Sequence, residues 1–123
     1  MRSFGRFAVV GSGKNWWDVV RVEDVASACV LAAEQSEPGS LFHVVDDEPI
    51  LYYDFASLTA RALGVGEPRR VPARIAALAA GSGPIAAVTR SGRSSNELIK
   101  RTLGWEPRYP NARQGIPDAI AKL

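Results

Sequence analysis

The chain has 123 residues with 15 basic and 13 acidic side chains, a net charge of +2, and 46% apolar residues. These are globular proportions, and the length allows one domain, which excludes a multi-domain enzyme within these residues. The apolar runs are a few residues each, far short of the about 20 that a membrane span needs.

The start, Met1 to Val10, holds Arg2 and Arg6 without a long apolar stretch. No secretory signal is read there, and a cytoplasmic protein is expected. Phe7-Ala8-Val9-Val10 reads as a short buried strand closed by the turn Gly11-Ser12-Gly13. Val19 to Val22 is a second extended candidate. Asp24 stands where an N-cap belongs, and Val25, Ala28, Cys29, Leu31 and Ala32 follow at helical spacing. Pro38-Gly39 ends that helix. Leu41-Phe42-His43-Val44-Val45 has the strongest β composition of the chain and runs into the polar turn Asp46-Asp47-Glu48-Pro49. Phe55, Leu58, Ala62 and Leu63 mark one face of a helix that Gly64 stops. Val71-Pro72 opens an alanine-rich helix, Ala73 to Ala80, which Gly81-Ser82-Gly83-Pro84 breaks. Ser94 and Glu97 have capping-box spacing for a helix over Ser95 to Leu103, with Gly104 beyond its end. Asn111 and Gln114 repeat that spacing for a last helix, which Pro117 interrupts or restarts. The order is an α/β start with a helical tail. Two or three strands are few for a sheet covered on both faces, so the missing neighbours must come from elsewhere.

Charge is uneven. Residues 1–62 carry 5 basic and 9 acidic side chains, and residues 63–123 carry 10 and 4. The basic residues of the second half are scattered, and no ribonucleoprotein or zinc-finger motif accompanies them, so no nucleic-acid partner is expected, nor a membrane one. Gly11-Ser12-Gly13-Lys14-Asn15 is not a phosphate loop, because Ala8 and Asn15 stand where Gly and Ser or Thr are required. Trp16 stands where a dinucleotide fingerprint needs glycine. With a single His, flanked by apolar residues, His43 is read as structural. Cys29, on an apolar helix face, is read as a buried inert thiol. Asp46, Asp47 and Glu48 have the oxygens a hard cation takes, but a solvated turn explains them better, and no metal site is expected.

Val9-Val10-Gly11-Ser12-Gly13-Lys14-Asn15, followed by Val20-Arg21-Val22-Glu23-Asp24-Val25-Ala26, resembles the C-terminal region of extended short-chain dehydrogenase/reductases, the NAD-dependent epimerase/dehydratase family. So do Phe42 to Val45 with its acidic loop, Tyr53-Asp54-Phe55-Ala56, Val71-Pro72, and the ending Ser95-Asn96 … Leu103-Gly104-Trp105-Glu106-Pro107-Arg108-Tyr109-Pro110 … Gly115-Ile116. The likeness covers nearly the whole chain. The family's G-x-x-G-x-x-G cofactor turn and its catalytic Tyr-x-x-x-Lys pair are absent: Tyr52, Tyr53 and Tyr109 are followed four residues on by Ala56, Ser57 and Arg113. Arg21 stands where the family often has His, Glu23 where it often has Asp, and Leu51 replaces a usual Ser/Thr helix cap.

The resemblance implies two or three strands from the end of a Rossmann-like sheet plus a mostly helical, substrate-binding domain spanning residues 1–123. The cofactor-binding part is expected to be absent. NAD or NADP is implied for a full-length relative but no cofactor, metal or catalytic residue is assigned to this chain. Asn15, Trp16, Trp17, Arg21, Arg90 and Asn96 are the expected substrate-cleft residues. The first three follow the glycine turn where family members contact substrate. Arginine suits a phosphate or carboxylate, and Trp faces suit sugar or base stacking, as in a sugar nucleotide. The expectation is a substrate-binding portion that is not catalytic alone, completed by a missing cofactor-binding half. The other reading is a stand-alone, non-catalytic module that forms a homodimer through exposed strand edges.

Overall fold

A computed structural model describes residues 7–123, so the reading of Met1 to Arg6 lies outside the described residues. Ten elements follow in chain order: β1 (Ala8–Val10), β2 (Trp16–Trp17), α1 (Val22–Gln35), β3 (Ile50–Leu51), α2 (Tyr52–Ala62), β4 (Arg69–Val71), α3 (Ala73–Ala80), α4 (Ser82–Thr89), α5 (Glu97–Leu103) and α6 (Ala112–Ala121). β1 pairs in parallel with β4, Val9 opposite Arg70. β2 pairs antiparallel with β3, Trp16 opposite Leu51 and Trp17 opposite Ile50. The architecture is α/β, mostly helical with small sheets.

Several expectations are corrected. Among the described residues, Val19–Val22 and Leu41–Val45 join no ladder, and β2, β3 and β4 take the pairing instead. Phe42 and Val44 still point inward, while Leu41 and His43 face solvent. β4 escaped notice because two of its three residues are exposed arginines; a partner strand's backbone, not side-chain burial, holds it. α4 was also missed. Ser82-Gly83-Pro84 reads as a breaker, but Pro84 sits in the first turn, where no N–H is required of it.

The helix ends divide in the same way. Asn111 caps α6, its Oδ1 accepting from Gln114 N–H at 3.0 Å. Gly104 ends α5 at φ +67°. Asp24, however, is not an N-cap: α1 starts at Val22, and Arg21 holds the cap position without a side-chain bond. The Ser94/Glu97 box does not form either. α5 starts at Glu97, Ser95 Oγ accepts its N–H at 3.2 Å, and the N–H of Ser94 donates instead to Asp18.

Two apolar clusters hold the chain together. Ala28 of α1 packs with Ile99, Leu103 and Trp105, flanked by Leu31, Ala32, Phe42 and Val44. Ile50 packs with Ala112 and Ile116, flanked by Val19, Phe55, Leu58, Ala62 and Ile120. Asp24, only 2% exposed, joins the first cluster to the tail. Its carboxylate accepts the backbone N–H groups of Arg108 at 2.7 Å and Tyr109 at 3.0 Å. The Trp105 indole N–H donates to Asp24 O at 3.1 Å and Ser27 Oγ at 3.0 Å. Cys29 is exposed, contrary to expectation, as are Val22 and Val30. α1 is apolar on most of its circumference, and the chain packs against one side of it.

Candidate functional site

The site begins at the glycine turn. Gly13 has φ +69°, and a Cβ on it would lie 2.7 Å from Tyr53 Cβ and 2.9 Å from Val9 Cγ1. Glycine therefore lets β1 and the start of α2 close together. Tyr53 N–H donates to Gly13 O at 3.0 Å and Tyr52 N–H to Asn15 O at 2.9 Å, which fixes the path of residues 13–17 along α2.

That segment is then fastened to the loop after α4. The Asn15 side-chain amide donates to Val88 O at 2.9 Å and Arg90 O at 3.0 Å, and Trp17 Nε1 donates to Val88 O at 3.1 Å. These bonds satisfy carbonyls that the end of α4 leaves open. Trp16 N–H donates to Ser91 Oγ, and Gly92 N–H donates to Trp16 O. Both oxygens of Asp18 accept the Ser94 N–H at 2.9 Å.

Between the two fastened segments runs an open groove of about 340 Å³, lined by Trp16, Trp17, Asp18, Ala87, Arg90, Gly92 and Ser94. The Arg93 guanidinium lies 5.2 Å from the Trp16 ring centroid. Trp17 stacks on Tyr52 with centroids 4.1 Å apart and an interplanar angle of 17°, and tilts against Phe55 at 5.6 Å. Trp17 is thus a fixed wall, while Trp16 and Arg90 are half-buried and exposed, respectively. Indole faces, guanidinium groups and serine hydroxyls together suit stacking and anion pairing rather than bond-breaking chemistry.

The structure brings Trp16, Trp17 and Arg90 to this groove, sets Asn15 beside it with its amide spent on Val88 O and Arg90 O, and leaves the other two elsewhere. Arg21 lies between α1 and α6, its side chain 13% exposed. Its Nη1 donates to Gly115 O at 2.6 Å, and its Nη2 meets Glu23 at 2.6 Å and Asp118 at 3.1 Å. The guanidinium carbon sits 4.3 Å from the Tyr109 centroid. Gly115 makes room, since a Cβ there would lie 3.2 Å from Arg21 Cγ. The bond to Glu23 raises the Arg21 pKa further and holds Glu23 at about 2. Asn96 is buried under residues 45–47, its amide donating to Val45 O at 3.0 Å and Asp47 Oδ1 at 2.8 Å. Asp18, Ser91 and Arg93 carry no motif in the sequence, and Ser94 only the spacing of a helix cap. The other local signal is the polar, glycine-containing stretch after α4.

The acidic turn does not converge on a cation. Burial pushes the Asp46 carboxyl up to about 7, with Asp47, Glu48 and Asp18 adding to the rise against a hydrogen bond from Glu48 N–H. Burial also disfavours the charge on Asp47, but Lys100 Nζ at 2.7 Å and the Asn96 amide outweigh it and hold Asp47 below its usual range. Among the described residues, no three His, Cys, Asp or Glu side chains form a group that could hold a metal ion. No helix among them is long and apolar enough to cross a membrane.

No family model matches the sequence. A 3-diazoavenalumate denitrifying reductase from Streptomyces is 31% identical over 112 residues, covering 91% of this chain and 36% of that protein. The structure of a human epimerase family protein with NADPH superposes with a TM-score of 0.85 at 16% identity, over 95% of this chain and 39% of the other. UDP-glucose 4-epimerase from Thermotoga maritima with UDP-glucose superposes with a TM-score of 0.73 at 21% identity, over 94% and 34%. The chain thus spans about a third of the length of the proteins it matches. Its homologues and structural neighbours include NAD(P)-dependent reductases, dehydratases and epimerases, and its fold aligns with the C-terminal part of the Rossmann-like epimerase folds.

Proposed function

We propose that residues 1–123 form the substrate-binding portion of an NAD(P)-dependent epimerase, dehydratase or reductase of the cytoplasm, and that they turn over no substrate alone. The observation that carries this reading is the fastening of residues 15–18 to residues 88–94. Ten hydrogen-bonding groups are spent there on holding a groove whose walls include two indole rings and Arg90, with the Asp18 carboxylate occupied by the Ser94 N–H. A ligand with a planar or sugar face and a phosphate fits those walls, which is the chemistry of a sugar nucleotide.

The residues present do not fit the dinucleotide itself. The turn after β1 is filled from behind by Tyr53 and Val9, which occupy the space a Cβ on Gly13 would take, and Trp16 follows it. No step through NAD(P) is assigned to this chain, whose residues hold neither a G-x-x-G-x-x-G turn nor a Tyr-x-x-x-Lys pair.

The test is a calorimetric titration of the chain with UDP-glucose, run beside an NADPH-oxidation assay. Saturable binding that weakens about tenfold in Trp16→Ala and in Arg90→Ala is expected, with no turnover. Binding that both variants leave unchanged, or the absence of binding at millimolar ligand, overturns the groove; turnover by the pure chain overturns the non-catalytic reading.

A second reading, the homodimeric module, has one observation in its favour. Residues 41–45 run extended with Leu41 78% exposed and, among the described residues, no ladder partner. A chain that stays monomeric at high micromolar concentration in sedimentation runs removes it.

A further inference from the structure

The hairpin of α3 and α4 takes no part in the groove's chemistry beyond its last turn. Its outer ends are tied to the body: α3 leaves β4 through Pro72, and the end of α4 is held by Asn15 and Trp17. The helices pack on each other, so the junction at Gly81 is the far end, roughly 12 Å out for helices of this length. Residues 75–89 carry no charged side chain. Leu78 is 90% exposed and Ile75, on the same face, 58% exposed. Neither belongs to a core cluster. The flanks have the opposite character. Arg69, Arg70 and Arg74 come before, Arg90 and Arg93 after, all exposed, and no acidic residue stands between Glu67 and Glu97.

We propose that this hairpin docks on the surface of an anionic lipid bilayer, with Ile75 and Leu78 entering the outer acyl region and the flanking arginines meeting lipid phosphates. Charge complementarity selects this occupant. An apolar tip beyond a cationic base repeats the order of a bilayer, hydrocarbon beneath a phosphate layer. A protein surface has acidic and apolar groups, but nothing fixes them at these two depths. The criterion that excludes a membrane-spanning helix does not bear on such peripheral docking, and the expectation of no membrane partner is the one this inference revises. It shares Arg90 and Arg93 with the substrate groove, and the substitutions that test it touch neither.

The experiment is flotation of the whole chain with vesicles of phosphatidylcholine alone and with about 30% phosphatidylglycerol. Expected is flotation with the anionic vesicles only, falling several-fold as salt rises to about 0.5 M. Leu78→Ser with Ile75→Ser should lower the bound fraction about tenfold, and Arg69→Gln with Arg74→Gln should lower it too. Both pairs are exposed, so circular dichroism and the urea midpoint should stay unchanged. The proposal is overturned by no flotation with anionic vesicles, or by flotation that the serine pair leaves intact. It is overturned equally if the serine pair dissolves a dimer in solution while vesicles bind nothing, which makes a second copy the occupant.

Discussion

Asp24 does more for this fold than its place at the start of a helix suggests. Its carboxylate, buried at 2% exposure, is the acceptor for two backbone N–H groups of the tail. Asp24→Ala leaves both part-buried donors without their acceptor, and urea denaturation should show a loss of about 2–3 kcal/mol. Gly13 is constrained by space as well as by its φ of +69°. Gly13→Ala forces backbone or Cβ atoms apart and should cost about 2–5 kcal/mol, whereas Gly104→Ala, at φ +67° with nothing within 4 Å, should cost about 1 kcal/mol. Asp46 gives a signed pH effect. Its carboxyl moves from the ordinary 3.8 to about 7 because the folded chain disfavours its charge. The folded state therefore binds that proton more tightly than the unfolded one. The stability it contributes is whole below about 4 and is lost as pH rises through about 7. Urea midpoints should fall between about pH 5 and about pH 8, and Asp46→Asn should flatten that slope. Asp47, Glu67 and Asp118, all held below their usual range, act in the opposite direction, but only on acidification below that window.

At the level of elements, the first strand and every helix but α4 were legible, and the other strands were not. The spacing of Phe55, Leu58 and Ala62 placed the inner face of α2, and Leu51 does stand at its N-cap with no side-chain bond. The Asn111–Gln114 pattern and Gly104 placed two helix ends correctly, because each signal lies within four residues of what it terminates. The Asp24 and Ser94 signals were equally local but lost to distant partners: the tail's N–H groups in one case, Asp18 in the other. Pro117 lies inside an unbroken α6, where it removes the N–H that would bond to Arg113 O. Pro117→Ala restores that donor. It should raise stability by about 1–2 kcal/mol, after the added freedom of the unfolded chain is subtracted, and thermal denaturation reads this directly.

On the scale of the whole molecule, the Leu41–Val45 segment shows how a β sequence can lack a sheet. Phe42 and Val44 pack on Ala28, Leu103 and Trp105, but the backbone between them joins no ladder among the described residues. Hydrogen exchange of the amides of residues 42–44 should be fast in this chain, and much faster than that of the buried Val9 in β1, whose backbone faces β4. Slow exchange at residues 42–44 would mean that a second copy already pairs with them. Three of the six expected cleft residues, Trp16, Trp17 and Arg90, meet at one groove, because Trp16 and Trp17 are neighbours in the chain and the adjoining Asn15 fixes the carbonyl of Arg90. Arg21 and Asn96 were chosen by residue type, and residue type does not say whether a donor is already taken; theirs are, by Gly115, Glu23 and Asp118 and by Val45 and Asp47. The sequence by itself determined the first strand, the helical segments other than α4, the glycine stops and the likeness carried by the Leu103-to-Pro110 ending. Each is written in residues a few positions apart. Only the tertiary structure decided that β1 pairs with β4 across some sixty residues, which side of α1 stays wet, and which polar side chains are free to face a ligand. Those outcomes depend on which distant backbone and side-chain groups arrive at the same place, and burial and hydrogen-bond satisfaction are settled only there.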